Sequence, residues 1–134
     1  MARIASFICC KKTGLDAEGN SIIQSPITTV SVRKYPIDFE VTLVLTLCEF
    51  EQDPENTIRV RIAKSDTLLF DSQTVELPLH EEKLTPDYHP ILTMSMGLDL
   101  KVEFPGQYEI EILFNEENIG IYPLFFSEGG GEDV

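Results

Sequence analysis

Two histidines and three carboxylates occur together in the segment LHEEKLTPDYHP, and their types fit a metal site. Imidazole nitrogen and carboxylate oxygen are common protein ligands of zinc and other transition metals. The histidines are nine positions apart, which is not a short spacing of the kind that marks a preformed site. The segment is therefore either a transition-metal site or a solvent-exposed loop. The candidate ligands are His80, Glu81, Glu82, Asp87 and His89.

A second acidic segment, residues 49–56, places a carboxylate at alternate positions after a long apolar stretch. Ca²⁺ binds several oxygen ligands at once, and acidic loops supply them. Pro54 interrupts the segment, and the D-x-D-x-D-G pattern of a calcium-binding loop is absent. A calcium site is the second metal hypothesis, with Glu51, Asp53 and Glu55 as its candidate ligands.

Covalent catalysis has no recognisable motif in this chain. The sequence has no Gly-x-Ser-x-Gly nucleophile turn. The glycines at 129–131 do not lie between a strand and a helix, as a phosphate-binding loop requires. We therefore predict that the protein is not an enzyme and has no cofactor. The alternative is a hydrolase in which folding brings a serine or cysteine beside His80 or His89, because catalytic triads are defined in space.

The three cysteines are an odd set for a disulfide framework. Cys9 and Cys10 are neighbours, and neighbouring side chains of a strand point to opposite faces, so these two do not suit a mutual bond. We interpret Cys9, Cys10 and Cys48 as small buried residues of a cytoplasmic protein, with a redox or metal role as the alternative. The apolar start is followed directly by Lys11 and Lys12, so we expect no leader peptide.

The net charge of −13 lies entirely in the second half of the chain, where residues 65–134 hold two basic and fifteen acidic side chains. Binding to nucleic acid or to anionic membranes depends on surface Lys and Arg, so we predict neither partner. No stretch is long and apolar enough for a transmembrane helix. A simple explanation of the acidic surface is that its net charge keeps the protein soluble. A more specific hypothesis is that the acidic surface attracts a basic partner. One form of it is an acidic decoy, which binds a nucleic-acid-binding protein in place of nucleic acid.

Alternation of apolar and polar residues with a period of two predicts antiparallel strands with one face on a core. It is clearest in the segments Leu98–Phe104 and Tyr108–Phe114, which meet at a Pro-Gly corner. In Thr57–Lys64 two arginines face outward, where they can pair with the outward glutamates Glu109 and Glu111 across strands. Further strands are predicted at Arg3–Cys10, Ser21–Gln24, Ile27–Lys34, Asp38–Cys48, Thr67–Phe70 with its continuation Gln73–Leu77, Ile91–Met96 and Ile119–Phe126.

Eight to ten short strands with frequent turns indicate an all-β sandwich or barrel. Tyr108, two residues after the glycine of the corner, resembles the tyrosine corner of immunoglobulin-like sandwiches. We therefore predict an immunoglobulin-like Greek-key β-sandwich of about 8 to 10 short antiparallel strands. One domain is expected over residues 1–126, followed by a flexible acidic, glycine-rich tail at 127–134.

The final predicted strand, Ile119–Phe126, is apolar on both faces and contains Pro123, which has no backbone N–H to donate. Proline inside a strand favours an edge position or a bulge. We predict that this edge mediates self-association or captures a partner strand, and burial under the N-terminal strand is the alternative. The interaction residues would be Ile119, Ile121, Tyr122, Leu124 and Phe126.

Four segments together resemble a family of small bacterial and phage-associated proteins of unknown function: ARIASFICC, GNSIIQSPITTV, YPIDF and FPGQYEIEI. The resemblance covers nearly the whole chain, and its motifs are turn and core positions. The chain departs from the family pattern at Ser25-Pro26, where the family tends to carry a glycine. The resemblance implies a small β-sandwich in a bacterial cytoplasm, and it supplies no site residues. The leading hypothesis is a non-enzymatic protein-interaction module, because the sequence combines a sandwich pattern, an acidic surface and a predicted exposed edge with no catalytic set.

Overall fold

Ten β-strands arranged in two sheets make up the described part of the protein in a computed structural model. The structure describes residues 2–15, 17–18, 21–27, 29–32, 34–51, 55–65, 67–77 and 91–128. The strands are β1 (Arg3–Leu15), β2 (Ser21–Pro26), β3 (Thr29–Val32), β4 (Ile37–Cys48), β5 (Thr57–Lys64), β6 (Thr67–Asp71), β7 (Val75–Glu76), β8 (Ile91–Val102), β9 (Gly106–Phe114) and β10 (Glu117–Glu128). None of the described residues forms a helix with the length and apolar composition needed to cross a membrane.

The first sheet has the strand order β2-β1-β4-β8, with all its pairs antiparallel. β4 is central because its long alternating sequence supplies one face to the core and a β-branched second face to the outside. It pairs with β8 through twelve consecutive residues, from Ile37 opposite Val102 to Cys48 opposite Ile91. Among the described strands, the last in the first sheet is therefore the long and regular β8.

The second sheet has the order β3-β10-β9-β5-β6, and β7 pairs with β5. β3 runs parallel to β10, which corrects the prediction that every strand pair is antiparallel. Only two residues separate β2 from β3, and the two strands lie in different sheets, so the chain crosses between the sheets at this point. The crossing is held by the backbone N–H of Ile27, which donates to the carbonyl oxygen of Cys9 at 2.6 Å.

The core lies between the two sheets and is formed by the inward residues of the central strands, as the alternation predicts. Burying each such aliphatic side chain contributes roughly 1.5–3 kcal/mol to folding. The fully buried large side chains include Val41, Leu47, Ile58, Ile62, Leu100, Val102, Ile110, Ile112 and Leu124. The core thus draws on both sheets, as in a β-sandwich.

The Pro-Gly corner joins the two sheets, since β8 belongs to the first and β9 to the second. Tyr108 is buried, and its hydroxyl donates a hydrogen bond to the carbonyl oxygen of Phe104 at 2.9 Å, which confirms the tyrosine corner. The two alternating segments therefore do not form a meander. Phe104, which the alternation groups with the core residues of β8, is instead 62% exposed because the strand ends at Val102.

The strand order defines an immunoglobulin-like sandwich. β1, β4 and β8 lie in one sheet and β5, β9 and β10 in the other, as strands A, B, E and C, F, G do in immunoglobulin domains. β10 continues two residues beyond the predicted domain end at 126, and the hydroxyls of Ser127 and Ser31 lie 2.8 Å apart. The remainder of the predicted tail, residues 129–134, lies outside the described residues.

Candidate interaction surface on the second sheet

β10 is only partly an edge strand. It pairs with β9 from Glu117 to Phe126, whereas β3 pairs only with Phe125–Glu128. The outer side of Glu117–Leu124 has no strand partner among the described residues. The cause is the change of sheet before Thr29, since the chain that precedes β3 belongs to the first sheet.

The inner face of β10 faces the core, which corrects part of the predicted interaction set. The side chains of Leu124 and Phe126 are 0% and 2% exposed, so they are core residues and do not form a binding surface. Tyr122 is half-buried, and its ring stacks on Phe7 with centroids 4.4 Å apart. A strand that is apolar on both faces does not reveal from its sequence which face is inside.

The N-terminal strand covers the inner face of β10 as well, so burial accounts for part of its apolar character. In addition to the Phe7–Tyr122 stack, Ile4 packs against Gly120 so closely that a Cβ there would lie 2.6 Å from the Ile4 Cδ1. The ladder of β10 with β9 is irregular between Asn118 and Gly120. The Gly120 N–H is satisfied locally, because it donates to Asn118 Oδ1 at 3.0 Å.

The outer face of β10 carries an exposed apolar stripe formed by Ile121, Pro123 and Phe125. Ile121 is 51% and Phe125 is 39% exposed, and Pro123 between them is also exposed. Ile121 belongs to the predicted interaction set; Pro123 and Phe125 do not. The spacing of two residues between these three positions is the sequence signal that identifies the stripe, once one face of β10 is known to be inside.

Acidic side chains of β9 border this apolar stripe. Glu111 lies opposite Ile121 in the ladder, and Glu109 lies opposite Pro123. Glu111 also receives hydrogen bonds from Arg61 at 3.1 Å and from the side-chain amide of Asn118 at 3.2 Å. The predicted pairing of an outward arginine of β5 with a glutamate of β9 is therefore confirmed for Arg61.

The second outward arginine of β5 has a different partner from the one predicted. Arg59 forms a two-pronged pair with the carboxylate of Asp71, with distances of 2.9 Å and 2.5 Å. Hydrogen bonding from Arg59, and then from the backbone of Gln73, lowers the pKa of Asp71 from 3.8 to about 2. The same bond raises the pKa of the Arg59 guanidinium. Arg61 lies 3.8 Å from Asp71, so the two arginines and two acids form one network.

The predicted metal ligands are not brought together within the described part of the chain. Glu51 and Glu55 are both exposed, and the backbone carbonyl of Glu51 accepts a hydrogen bond from Asn56 Nδ2 at 2.7 Å. Within the ranges the structure describes, no three His, Cys, Asp or Glu side chains lie close enough to hold a metal. The other candidates lie outside the described residues: Asp53, His80, Glu81, Glu82, Asp87 and His89. Both metal hypotheses remain predictions.

The three cysteines form no disulfide within the described residues, and Cys9 and Cys10 are buried. Cys9 lies in the core between the sheets, and its burial, together with the neighbouring Cys10, raises the pKa of its thiol to about 12. Cys10 is fully buried, while Cys48 is half-buried. A thiol with so high a pKa is a poor nucleophile near neutral pH. The interpretation of Cys9 and Cys10 as small buried residues is confirmed.

The strand order and the tyrosine corner place the protein among the immunoglobulin-like β-sandwiches. Its sequence matches a family described as "Family of unknown function (DUF6941)" over residues 5–127. The chain belongs to this family. None of the curated proteins matches the sequence.

Three solved structures share parts of this fold at low sequence identity. The Pseudomonas fluorescens alkylpurine DNA glycosylase AlkC bound to DNA is 11% identical, with a TM-score of 0.47, over 94% of this chain and 30% of its own. A β-glucosidase from Listeria innocua in complex with glucose is 12% identical, with a TM-score of 0.47, over 91% of this chain and 16% of its own. An immunoglobulin-like protein from Pseudomonas aeruginosa is 14% identical, with a TM-score of 0.41, over 94% of this chain and 96% of its own.

The chain thus spans less than a third of the length of the first two structures and nearly all of the third. All three TM-scores lie below 0.5. The fold assignment therefore rests on the strand order and the tyrosine corner of this chain.

Proposed function

We propose that this protein is a non-enzymatic interaction module that binds a partner protein through the outer face of β10. The observation that carries the proposal is the apolar stripe of Ile121, Pro123 and Phe125. Single exposed apolar residues are ordinary, whereas neighbouring ones on a sheet face are characteristic of binding surfaces. The stripe lies on ordered strands, so a partner would meet a surface that is already formed.

The acidic border of the stripe supports a partner that is apolar at its centre and basic at its rim. Glu109 and Glu111 flank the stripe on one side, and the whole chain carries a charge of −13. A basic partner would be attracted by this charge, and the attraction would weaken as salt increases. Two copies of the chain would repel each other for the same reason, so we favour a different protein over self-association.

The proposal includes a cytoplasmic location. It does not include catalysis, nucleic-acid binding or membrane binding. The absence of a disulfide among the described cysteines is consistent with that compartment. The excess of acidic side chains opposes binding to phosphate-rich partners.

The test is photo-crosslinking from the stripe in cells that express the full chain. A photoreactive phenylalanine analogue at Phe125 is expected to crosslink one dominant protein, and Ile121→Lys is expected to abolish that crosslink. Ser6→Lys is the matched control. Ser6 is exposed on the first sheet, and its substitution introduces the same charge as Ile121→Lys. The purified complex should dissociate more readily as the salt concentration rises.

Native mass spectrometry of the purified chain separates the possible occupants of the stripe. A 15.1 kDa monomer is expected. A dimer that Ile121→Lys converts to monomer would show that the occupant is a second copy. A crosslinked protein that Ile121→Lys still captures would overturn the proposed surface.

A further inference from the structure

One row of residues across the outer face of the second sheet is apolar apart from a single carboxylate. Glu109 of β9 lies opposite Pro123 of β10 on one side and opposite Ala63 of β5 on the other. Ala63 in turn lies opposite Leu68 of β6, which is 53% exposed. Residues directly opposite each other in neighbouring strands share a face, and neighbouring strands are about 4.8 Å apart. The row therefore crosses four strands, and Glu109 lies between apolar neighbours.

The neighbouring row of the same face is charged, but its charges are already paired with one another. The Glu111 carboxylate accepts hydrogen bonds from Arg61 at 3.1 Å and from the side-chain amide of Asn118 at 3.2 Å. The carboxylate of Asp71 is held by both prongs of Arg59. A basic partner would have to compete with these bonds in order to pair with either acid. This row is therefore a poor site for recognition by charge.

Glu109 differs from Glu111 because it has no basic partner of this kind. Its side chain is exposed, and within the ranges that the structure describes it forms no ion pair. Its two cross-strand neighbours, Pro123 and Ala63, have no polar side-chain atom that could bind it. Of the acids in these two rows, Glu109 is the one whose charge is not balanced by a described basic side chain.

A partner that covers the apolar part of this row must also remove water from the carboxylate of Glu109. The carboxylate lies between Pro123 and Ala63, so both cannot be covered without it. A charge that loses its hydration without gaining an opposite charge opposes binding strongly. An arginine guanidinium suits this place, because it is weakly hydrated and donates two parallel hydrogen bonds to a carboxylate.

We propose that Glu109 determines the specificity of this surface by pairing with one arginine of the partner protein. The side chains on either side of that arginine are apolar, and they cover Pro123 and Ala63. The role of Glu109 rests on the function proposed above, because Pro123 belongs to the apolar stripe of β10. The charge of −13 attracts basic proteins in general, whereas a single unpaired carboxylate among apolar residues selects the position of one basic side chain.

A defined pair of peptides tests the proposal by NMR titration of the isotopically labelled full chain. The probe is a capped Val-Leu-Arg-Leu-Val peptide. Its control has citrulline in place of arginine, which keeps the shape of the side chain and removes its charge. The arginine peptide is expected to shift the backbone amide resonances of Glu109 and Ala63. It should bind at least about fivefold more tightly than the citrulline peptide, because a hydrogen bond between charged groups is stronger than one to a neutral group.

Substitution of Glu109 tests which carboxylate provides this preference. Glu109→Gln is expected to bind the two peptides equally. The matched control is Asp99→Asn, which removes the same charge from an exposed position of the first sheet and should keep the preference for arginine. Both substitutions are at exposed positions, and circular dichroism establishes that each variant is folded. If Asp99→Asn loses the preference as well, net charge alone accounts for it and the proposal is wrong.

The crosslink from Phe125 separates the role of Glu109 from the function of the whole surface. Glu109→Gln is expected to reduce that crosslink at least about fivefold, and Asp99→Asn is expected to reduce it less. If Ile121→Lys abolishes the crosslink while these two variants behave alike, the surface binds a partner that Glu109 does not select. If Ile121→Lys has no effect, the proposed function itself is wrong.

Three results of the titration would overturn the proposal. Equal affinities of the arginine and citrulline peptides for the unmodified chain would show that charge does not determine recognition here. Resonance shifts at Glu109 that grow with protein concentration in the absence of peptide would identify a second copy as the occupant. No shift at Glu109 or Ala63 with either peptide at millimolar concentration would show that this row is not a binding site.

Discussion

The hydroxyl of Tyr108 bonds to the carbonyl oxygen of Phe104 at 2.9 Å, across the corner that joins the two sheets. The Tyr108 ring is packed edge-on against Phe126 of β10, so the residue ties the corner to the core of the second sheet. Tyr108 therefore stabilises the corner through both a hydrogen bond and an apolar contact. A substitution can remove either interaction separately.

Removal of the Tyr108 hydroxyl is expected to destabilise the fold. Tyr108→Phe keeps the ring but leaves the Phe104 carbonyl without this donor, at a cost of about 1–2 kcal/mol in the free energy of unfolding. Urea denaturation measures the change. Tyr122→Phe is the control, because the Tyr122 hydroxyl has no hydrogen-bond partner among the described residues. Equal losses in the two variants would contradict a specific role for the corner bond.

The pairing of Asp71 with Arg59 predicts a contribution to stability that depends on pH. The pKa of Asp71 is lowered from 3.8 to about 2 in the folded protein. The stabilisation is therefore complete above about pH 4 and is lost as the pH falls through 2. Between about pH 4 and pH 2, the unfolding free energy should fall more steeply with decreasing pH in the native protein than in Asp71→Asn. The difference between the two slopes corresponds to the uptake of up to about one additional proton on unfolding.

The measurement is urea denaturation at a series of pH values, and its control is Glu109→Gln. That variant removes one carboxylate from the same sheet face but leaves the Arg59–Asp71 pair in place. It should keep the steeper dependence of the native protein. A native protein and an Asp71→Asn variant with parallel profiles would show that the pair does not lower the pKa of Asp71.

Two apolar residues of β10 are expected to differ sharply in their effects on stability. Leu124→Ala would leave a cavity in the core and cost about 2–5 kcal/mol. Ile121→Ala removes an exposed side chain and should change the unfolding free energy by less than about 0.5 kcal/mol. Chemical denaturation of both variants is the measurement. The reverse order would mean that β10 presents the opposite face to the core.

Two glycines provide a matched test of the backbone. Gly106 has a φ of +142°, which other residues rarely adopt, and a Cβ there would lie 2.9 Å from Lys64 Cδ. Gly106→Ala should therefore cost about 1–3 kcal/mol. At Gly97 a Cβ would have no atom within 4 Å, so Gly97→Ala should be neutral or stabilising by up to about 1 kcal/mol. Thermal unfolding compares them, and a Gly106→Ala variant as stable as Gly97→Ala would rule out strain at the corner.

The thiols should react at very different rates. In the folded protein at pH 8, a thiol-specific reagent is expected to modify Cys48 first, because it is the least buried of the three. Cys9, with its raised pKa, should react only as the protein unfolds. Mass spectrometry after proteolysis identifies the modified residue. Rapid labelling of Cys9 in the folded state would show that this part of the core opens readily.

Local patterns in the sequence predicted some strands accurately and others only in part. The predicted Arg3–Cys10 ends five residues before the end of β1, and β8 is one strand where two were predicted, Ile91–Met96 and Leu98–Phe104. Thr57–Lys64 was predicted with both its ends correct, and Asp38–Cys48 begins one residue late. Side chains alternate with a period of two in any strand, so the pattern depends only on neighbours along the chain. The tyrosine corner was also predictable, since its donor and acceptor are four residues apart.

The faces of β10 required the tertiary structure. Its apolar residues occur on both sides, and a one-residue change of register would exchange them without altering the pattern. Packing of Tyr122 on Phe7 and of Phe126 on Tyr108 decides which face is inside. The stripe of Ile121, Pro123 and Phe125 follows only from that choice.

By itself, the sequence determined the class of fold, most strand positions, the acidic charge and the corner at Tyr108. The tertiary structure alone decided that β3 runs parallel to β10, that β8 and β9 lie in different sheets, and which strands of the described residues lie at the sheet edges. Each of these relationships joins residues that are distant along the chain. Their energies depend on which surfaces meet after folding, and a local alternation of residues contains no information about its partner strand.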